Sequence, residues 1–391
     1  MENEVLEHKG GVHMEETSAR PALGRDGVRA RQYSKRKTRL MVSQLLLTVA
    51  FLIIMFLSGA SLFLRDLVAG WSRNFYLQLG LYLVIFGGIY YLLFLGLDFY
   101  NGFLLEHKFL LSNQTVLGWL KQSIKKGLLS QLLLLVAAEP LYFFLRHFPN
   151  NWWLLVTAAW LLLTIVLGKI APVLIIPLFY KCSPLANREL KERLLKLGKK
   201  CGVKVKKVFE VQLSKDTRKT NAAVVGLGKG RRILLGDTLL KNYSDEEIEA
   251  IFAHELAHVR LFHTRKIPGF AAIISFVSLY LTSLLFRTSL SFFGFDQIYD
   301  IAAFALLALI LMLMGLLFMP IQNAYLRYLE KQADIFAAEH IENPQSFASA
   351  MTKLANQNLS DPSPSRLVEL LFYDHPPISK RLHYGMGKNE K

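Results

Sequence analysis

Six near-continuous apolar runs constrain this chain more than any other feature. They are Leu40–Leu64, Phe75–Leu97, Gly127–Leu145, Trp152–Leu178, Ile267–Phe286 and Ile301–Ile321. The first has 25 residues, which at about 1.5 Å per residue reach roughly 37 Å, enough to cross a hydrocarbon core of about 30 Å with some tilt. Backbone in hydrocarbon must satisfy its own hydrogen bonds, so runs of this length are expected to be helices. The expected fold class is therefore mainly α: a polytopic membrane helical bundle of about six spans. With 52% hydrophobic and 19% charged residues, the composition excludes disordered and collagen-like classes. Cys182 and Cys201 lie outside any C-x-x-C pair, which argues against a disulfide framework or a cysteine metal site.

The charge pattern orients the bundle. Lys and Arg outnumber Asp and Glu by 46 to 30, a net charge of +16. The excess is concentrated before the first run, in Asn101–Lys126 and in Tyr180–Lys266, whereas Arg65–Asn74, Arg146–Asn151 and Arg287–Asp300 hold little of it. By the positive-inside rule both termini and the large loop face the cytosol. The lipid bilayer is then an obligatory partner. Nucleic acid is not expected, since no stacking aromatics interleave with the basic runs. Residues 1–38 read as a disordered polar and basic tail. After it come spans 1–4 (39–179, with a cytosolic loop at 101–126) and a cytosolic catalytic segment (180–266). Spans 5–6 (267–321) and a cytosolic C-terminal part (322–391) complete the division. Glu139 and Lys169 fall inside spans at similar depth and should pair or line water. Pro140, Pro172 and Pro177 are expected to kink their helices.

The large loop carries His254-Glu255-Leu-Ala-His258. Ser244 with Glu247 three residues later has the form of a capping box, so a helix should start there and run through the motif. Histidines at i and i+4 share a helix face about 5–6 Å apart, a spacing that lets both imidazoles reach one zinc ion. Glu255 sits beside that face, where its carboxylate can take a proton from a water acidified by the metal. A third ligand is then needed. The sixth run continues into Glu330-Lys-Gln-Ala-Asp334, two acids one turn apart on one face. Glu330 could ligate zinc while Asp334 accepts the free N–H of a ligand histidine. Taken alone, the pair is also the pattern of an ordinary acidic helix face.

With these motifs the sequence resembles the type I CAAX prenyl endopeptidases, integral-membrane gluzincin-type zinc proteases in which H-E-x-x-H is followed two spans later by E-x-x-A-D. The likeness extends to Tyr100-Asn-Gly-Phe-Leu-Leu-Glu106-His107, to Ile176-Pro177-Leu178-Phe179-Tyr180-Lys181 and to Asn221-Ala222. It continues through Asp237-Thr238-Leu239-Leu240, His258-Val-Arg-Leu-Phe-His263 and His375-Pro376-Pro377 with Arg381. It covers the chain from about residue 75 to 385. The resemblance implies one Zn2+ per chain held by His254, His258 and Glu330, with Glu255 as the base. It also implies that His375 stabilises the oxyanion and that Arg381 pairs with Asp334. A zincin-like catalytic domain on the cytosolic side follows from it.

Asn221-Ala222 with Val224-Val225, the glycines of Gly226–Gly230, and Arg232-Ile-Leu-Leu235 read as a β-hairpin, so a small sheet is expected in this domain. A phosphate-cradling loop is excluded, because no helix N-terminus follows those glycines. In the family an edge strand that starts at this Asn-Ala adds the substrate as a further strand, which suits a protease because main-chain hydrogen bonds accept any extended peptide. The function expected is zinc-dependent endopeptidase cleavage of a peptide or protein, lipidated or membrane-inserted. A heat-shock-type quality-control membrane protease and an inactive membrane scaffold are the alternatives. With six spans where eukaryotic members commonly have seven, a bacterial inner membrane is favoured over the endoplasmic reticulum.

Overall fold

The computed structural model describes residues 25–205, 207–226 and 232–386. Among them, six helices are long and apolar enough to cross a membrane, in the expected order. They are α1 (Arg25–Leu57), α3 (Phe75–Phe99), α5 (Val116–His147), α6 (Trp152–Ile170), α11 (His263–Phe292) and α12 (Phe304–His340). Two of them are extended through wider turns. α3 passes through a π-helical turn (Tyr100–Leu104) into α4 (Leu105–Lys108). α6 does the same through Ala171–Ile175, which holds Pro172, into α7 (Ile176–Phe179). A missing proline N–H is one of the identifiable causes of such local departures.

Two expectations are corrected. The sequence predicts a polar tail as far as residue 38, yet α1 begins at Arg25; residues 1–24 lie outside the described residues. Its pre-membrane arm is ordered by packing. Ala30 and Tyr33, three residues apart on one face, are buried against Leu105, Phe109, Leu111 and Leu359. Tyr33 donates to Glu106 Oε1 at 2.6 Å, and Lys37 Nζ and Lys219 Nζ sit 2.6 and 2.9 Å from the same carboxylate. The second correction concerns the first span, which ends at Leu57 rather than Leu64. Gly59 takes a left-handed conformation (φ 78°) that breaks the helix, and α2 (Ala60–Trp71) begins immediately after it. Arg65 pairs with Asp300 at 2.7 Å and Ser61 donates to the Ala302 carbonyl, holding α2 against the start of α12. Among the described residues Glu139 and Lys169 form no ion pair: Glu139 lies beside Gly80 of α3, and Lys169 is exposed.

The extramembrane domain is built on a four-stranded sheet of β1 (Cys182–Pro184), β2 (Val208–Val211), β3 (Ala222–Val225) and β4 (Arg232–Gly236). The strand order is β1-β2-β4-β3. The expected hairpin is present, β3 pairing antiparallel with β4 from Ala222↔Leu235 to Val225↔Arg232. β2 pairs parallel with β4, and β1 antiparallel with β2. Helices α8 (Arg188–Lys200), α9 (Asp237–Asn242), α10 (Asp245–Arg260), α13 (Pro344–Asn358), α14 (Arg366–Phe372) and α15 (Ile378–Met386) complete the domain. One hydrophobic core joins all of these helices except α14, with Leu194, Leu235, Phe252, Leu256, Ala333 and Phe347 inside it. α10 therefore has partners on most sides, which leaves its histidine face only one direction to look, toward α12.

Candidate metal centre

α10 starts where its sequence predicts. The Glu247 N–H donates to Ser244 Oγ at 3.3 Å, and the Ser244 N–H donates to Glu247 Oε2 at 2.9 Å, closing the capping box. Phe252, Ala253, Leu256 and Ala257 are fully buried and fix the rotation of the helix. His254 and His258, one turn apart, then project toward α12, with their Nε2 atoms 3.3 Å from each other. Glu330 comes from that helix. Its Oε2 lies 3.3 Å from His254 Nε2 and its Oε1 3.3 Å from His258 Nε2. One ligand atom from each of the three falls within 4.8 Å of the others. Glu330 Oε2 is buried and accepts no hydrogen bond, an arrangement that is costly unless a cation completes it. Two imidazole nitrogens and one carboxylate oxygen are a donor set suited to a divalent metal ion.

Behind each histidine lies a partner that sets its tautomer. His254 Nδ1 is 2.9 Å from Asp334 Oδ1. A carboxylate can only accept, so Nδ1 carries the proton and Nε2 faces the ligand cluster. Asp334, with no solvent exposure, is held in turn by Arg381, whose Nε and Nη2 donate to its two oxygens at 2.9 and 2.6 Å. His258 has a different partner: its Nδ1 is 3.2 Å from Nδ1 of His263, and His263 Nε2 is 3.1 Å from Gln332 Oε1. Since the Gln332 oxygen must accept, His263 donates through Nε2 and accepts through Nδ1, which leaves the His258 Nδ1 proton pointing away from the cluster. Sequence reasoning assigned His263 and Gln332 no part in the site. The available signal was the four-residue gap after His258, but the contact depends on Phe262, whose left-handed backbone (φ 61°) turns the chain into α11.

The remaining candidates line one cavity of about 520 Å³ with Asn221, Ala222, His254, Glu255, His375 and Arg381 in its wall, and Tyr33 and Lys37 of the α1 arm opposite. Glu255 Oε2 accepts the Val224 N–H at 3.0 Å, which ties it to the open side of edge strand β3. The Asn221 carbonyl accepts from Gly236 N and fixes the start of that strand. His375 pairs through Nδ1 with Asp374 at 2.8 Å and points Nε2 toward Glu330 Oε1 at 3.5 Å.

Electrostatics separate the two histidines. Burial pushes His254 down, but the neighbouring carboxylates of Asp334 and Glu330 outweigh this and raise it to about 9. Burial and the neighbouring His254 charge push His258 down to about 3. Burial raises the Glu255 carboxyl above its ordinary range. His375 is also lowered by burial, yet Asp374 and Glu330 more than compensate and leave it above the usual histidine value.

Comparison with known proteins decides the family. The pattern described as peptidase family M48 matches residues 184–384, and the pattern described as CAAX prenyl protease N-terminal, five membrane helices, matches 26–181. The chain belongs to peptidase family M48. Among similar proteins is one of Bacillus subtilis (strain 168), named an uncharacterized metalloprotease, YhfN. It is 28% identical over 362 residues, which are 91% of this chain and 84% of that one. The CAAX prenyl protease 1 homolog of Arabidopsis thaliana is 31% identical over 300 residues, 75% of this chain and 69% of its own length. The crystal structure of S. mikatae Ste24p superposes with a TM-score of 0.77 at 25% identity, covering 92% of this chain and 88% of that one. The M48 chain is thus an integral-membrane metalloendopeptidase that acts on a peptide or protein substrate. A quality-control protease of another kind or an inactive scaffold is not favoured. M48 membership implies a metal, and the cluster of His254, His258 and Glu330 has the donors to hold one.

Proposed function

We propose that this chain is a zinc endopeptidase that cleaves lipidated protein C-termini presented from the bilayer, as the name CAAX prenyl protease describes for its relatives. The observation that carries the reading is the meeting of His254, His258 and Glu330 beside a cavity whose wall holds His254 itself, Glu255, His375 and Ala222 of edge strand β3. His254, His258 and Glu330 are the ligands, and Asp334 and Arg381 orient His254 from behind. Zinc held there supplies Lewis acidity, which polarises a carbonyl and acidifies a water.

The protein's own groups account for the remaining chemistry. Val224 turns its N–H away from β4 to Glu255, so Ala222, two residues earlier, presents its N–H and carbonyl at the same open edge. A substrate strand added there, beside Asn221 and Ala222, brings its scissile carbonyl alongside α10. Glu255 accepts a proton from the attacking water and returns it to the leaving amine, a task for which a carboxyl raised above its ordinary pKa is suited. His375, held on Asp374 through Nδ1 and shifted toward its cationic form, keeps a proton on Nε2 to donate to the developing oxyanion. The basic segments favour a site on the cytosolic side. The long match to the Bacillus subtilis protein supports a bacterial inner membrane.

Two measurements test the reading. Glu255→Gln should retain its metal and lose peptide hydrolysis by about 10²–10⁴-fold; undiminished turnover would remove Glu255 from the mechanism. A farnesylated C-terminal peptide should be cleaved faster than its unprenylated counterpart. Equal rates would mean a general membrane protease.

A further inference from the structure

The arm of α1 carries a second surface feature that proteolysis does not use. Arg31, Lys35 and Arg39 recur every four residues and therefore share one face of the helix. Together with Ser363, Ser365 and Val368 they line a groove of about 630 Å³ between the arm and α14. Among the described residues none of the three cations has an ion pair. The acid in the groove, Asp361, is buried and accepts the Ser363 N–H, so the groove keeps an excess of positive charge.

Its height relative to the bilayer is fixed by two independent observations. On α1 the apolar run begins at Leu40, immediately after Arg39. On the other side, α14 is tied to α12 where that helix leaves its own apolar run: Asn323 Nδ2 donates to the Leu371 carbonyl at 2.7 Å and Arg327 Nη1 to the Glu369 carbonyl at 2.9 Å. α14, whose Val368 lines the groove, also exposes Leu367 (67%) and Leu370 (45%) on the adjoining faces of the same short helix. Cations at headgroup level next to exposed leucines form an interfacial surface.

We propose that this groove binds an anionic phospholipid, its phosphate on Arg31, Lys35 and Arg39 and its acyl chains along Leu367 and Leu370. A zwitterionic choline headgroup brings a cation of its own into the positive groove and is disfavoured. Free phosphate gains nothing from the leucines. The inference does not depend on the protease reading, because binding is measured without turnover.

The test is native mass spectrometry of the protein released from nanodiscs of mixed phosphatidylcholine and phosphatidylglycerol. Wild type should retain phosphatidylglycerol preferentially. At roughly fivefold per charge, Arg31→Gln, Lys35→Gln and Arg39→Gln together should reduce that preference about a hundredfold. Lys35→Gln alone should cost about fivefold, which keeps the test decisive if the triple variant folds poorly. Arg36→Gln, on another face of the same helix, should change nothing. The proposal is overturned if Lys35→Gln retains the lipid as wild type does, if Arg36→Gln loses it equally, or if inorganic phosphate displaces it while Leu367→Ser and Leu370→Ser have no effect.

Discussion

Replacing Asp334 by asparagine probes the buried charge behind the metal site without changing side-chain volume. Asp334 has no solvent exposure, Arg381 has a side-chain exposure of 11%, and they are joined by two hydrogen bonds, with His254 Nδ1 as a third donor to the same carboxylate. The Asp334→Asn substitution would leave the guanidinium buried without a counter-charge, and breaking a buried pair from one side costs about 3–5 kcal/mol. The second effect is on His254. Without a carboxylate to accept from Nδ1, the tautomer that presents Nε2 is no longer enforced, and loss of such a partner weakens metal binding about 10–100-fold. The two effects separate in a double variant. Asp334→Asn with Arg381→Met removes both charges, so most of the lost stability should return while metal affinity stays low. Thermal melting in detergent reports the first, and zinc titration against a competing chelator reports the second. Unchanged zinc affinity in Asp334→Asn would refute the orienting role of Asp334. Failure of the double variant to regain stability would refute the uncompensated guanidinium as the source of the cost.

Three further outcomes are expected. Glu330→Ala should abolish stoichiometric metal in elemental analysis; full occupancy would place the third ligand elsewhere. Burial pushes the Glu247 carboxyl up, but Lys353, Ser349 and the Ser244 N–H outweigh it and hold the pKa below the ordinary value. Its contribution is therefore fully present above an unfolded pKa of about 4.3 and is lost as pH falls through the lower folded value. Glu247→Gln should be about 1 kcal/mol less stable at neutral pH, and the gap in melting temperature should close in acid. A widening gap would reverse the sign of the argument. At Gly236 an added Cβ would lie 2.7 Å from Leu213 Cδ1 and 3.0 Å from the Asn221 carbonyl. Gly236→Val should therefore displace the start of β3 and raise the KM for peptide while leaving metal content unchanged; an unaltered KM would separate β3 from substrate binding.

The sequence carries the six spans and the zinc-type motif on its surface because both are local periodic patterns. An apolar run must become a helix in lipid, and two histidines four residues apart must share a helix face. The β3–β4 hairpin was legible for the same reason. What escaped depends on distant partners. The α1 arm reads as a polar tail because its buried face is only Ala30 and Tyr33, and the groups that order it, Glu106 and Lys219, are far along the chain. The break at Gly59 hides inside an apolar run that is continuous by composition. β1 and β2 are three- and four-residue strands whose pairing is set by β4 and not by their own pattern. His263 reaches His258 only because Phe262 adopts a left-handed turn.

That α12 continues without interruption from the membrane to Glu330 makes it a ruler as well as an anchor. From Ile321, where its apolar run ends, to Glu330 the helix climbs at most about 13 Å at 1.5 Å per residue. Extended chain covers that height in about four residues. A bond four or more residues from a lipid anchor can therefore reach the metal site with its anchor still in the bilayer. A bond beside the lipidated residue cannot, unless the lipid itself is drawn up among the helices. The length of one rigid helix thus divides substrates by how far their anchor must travel.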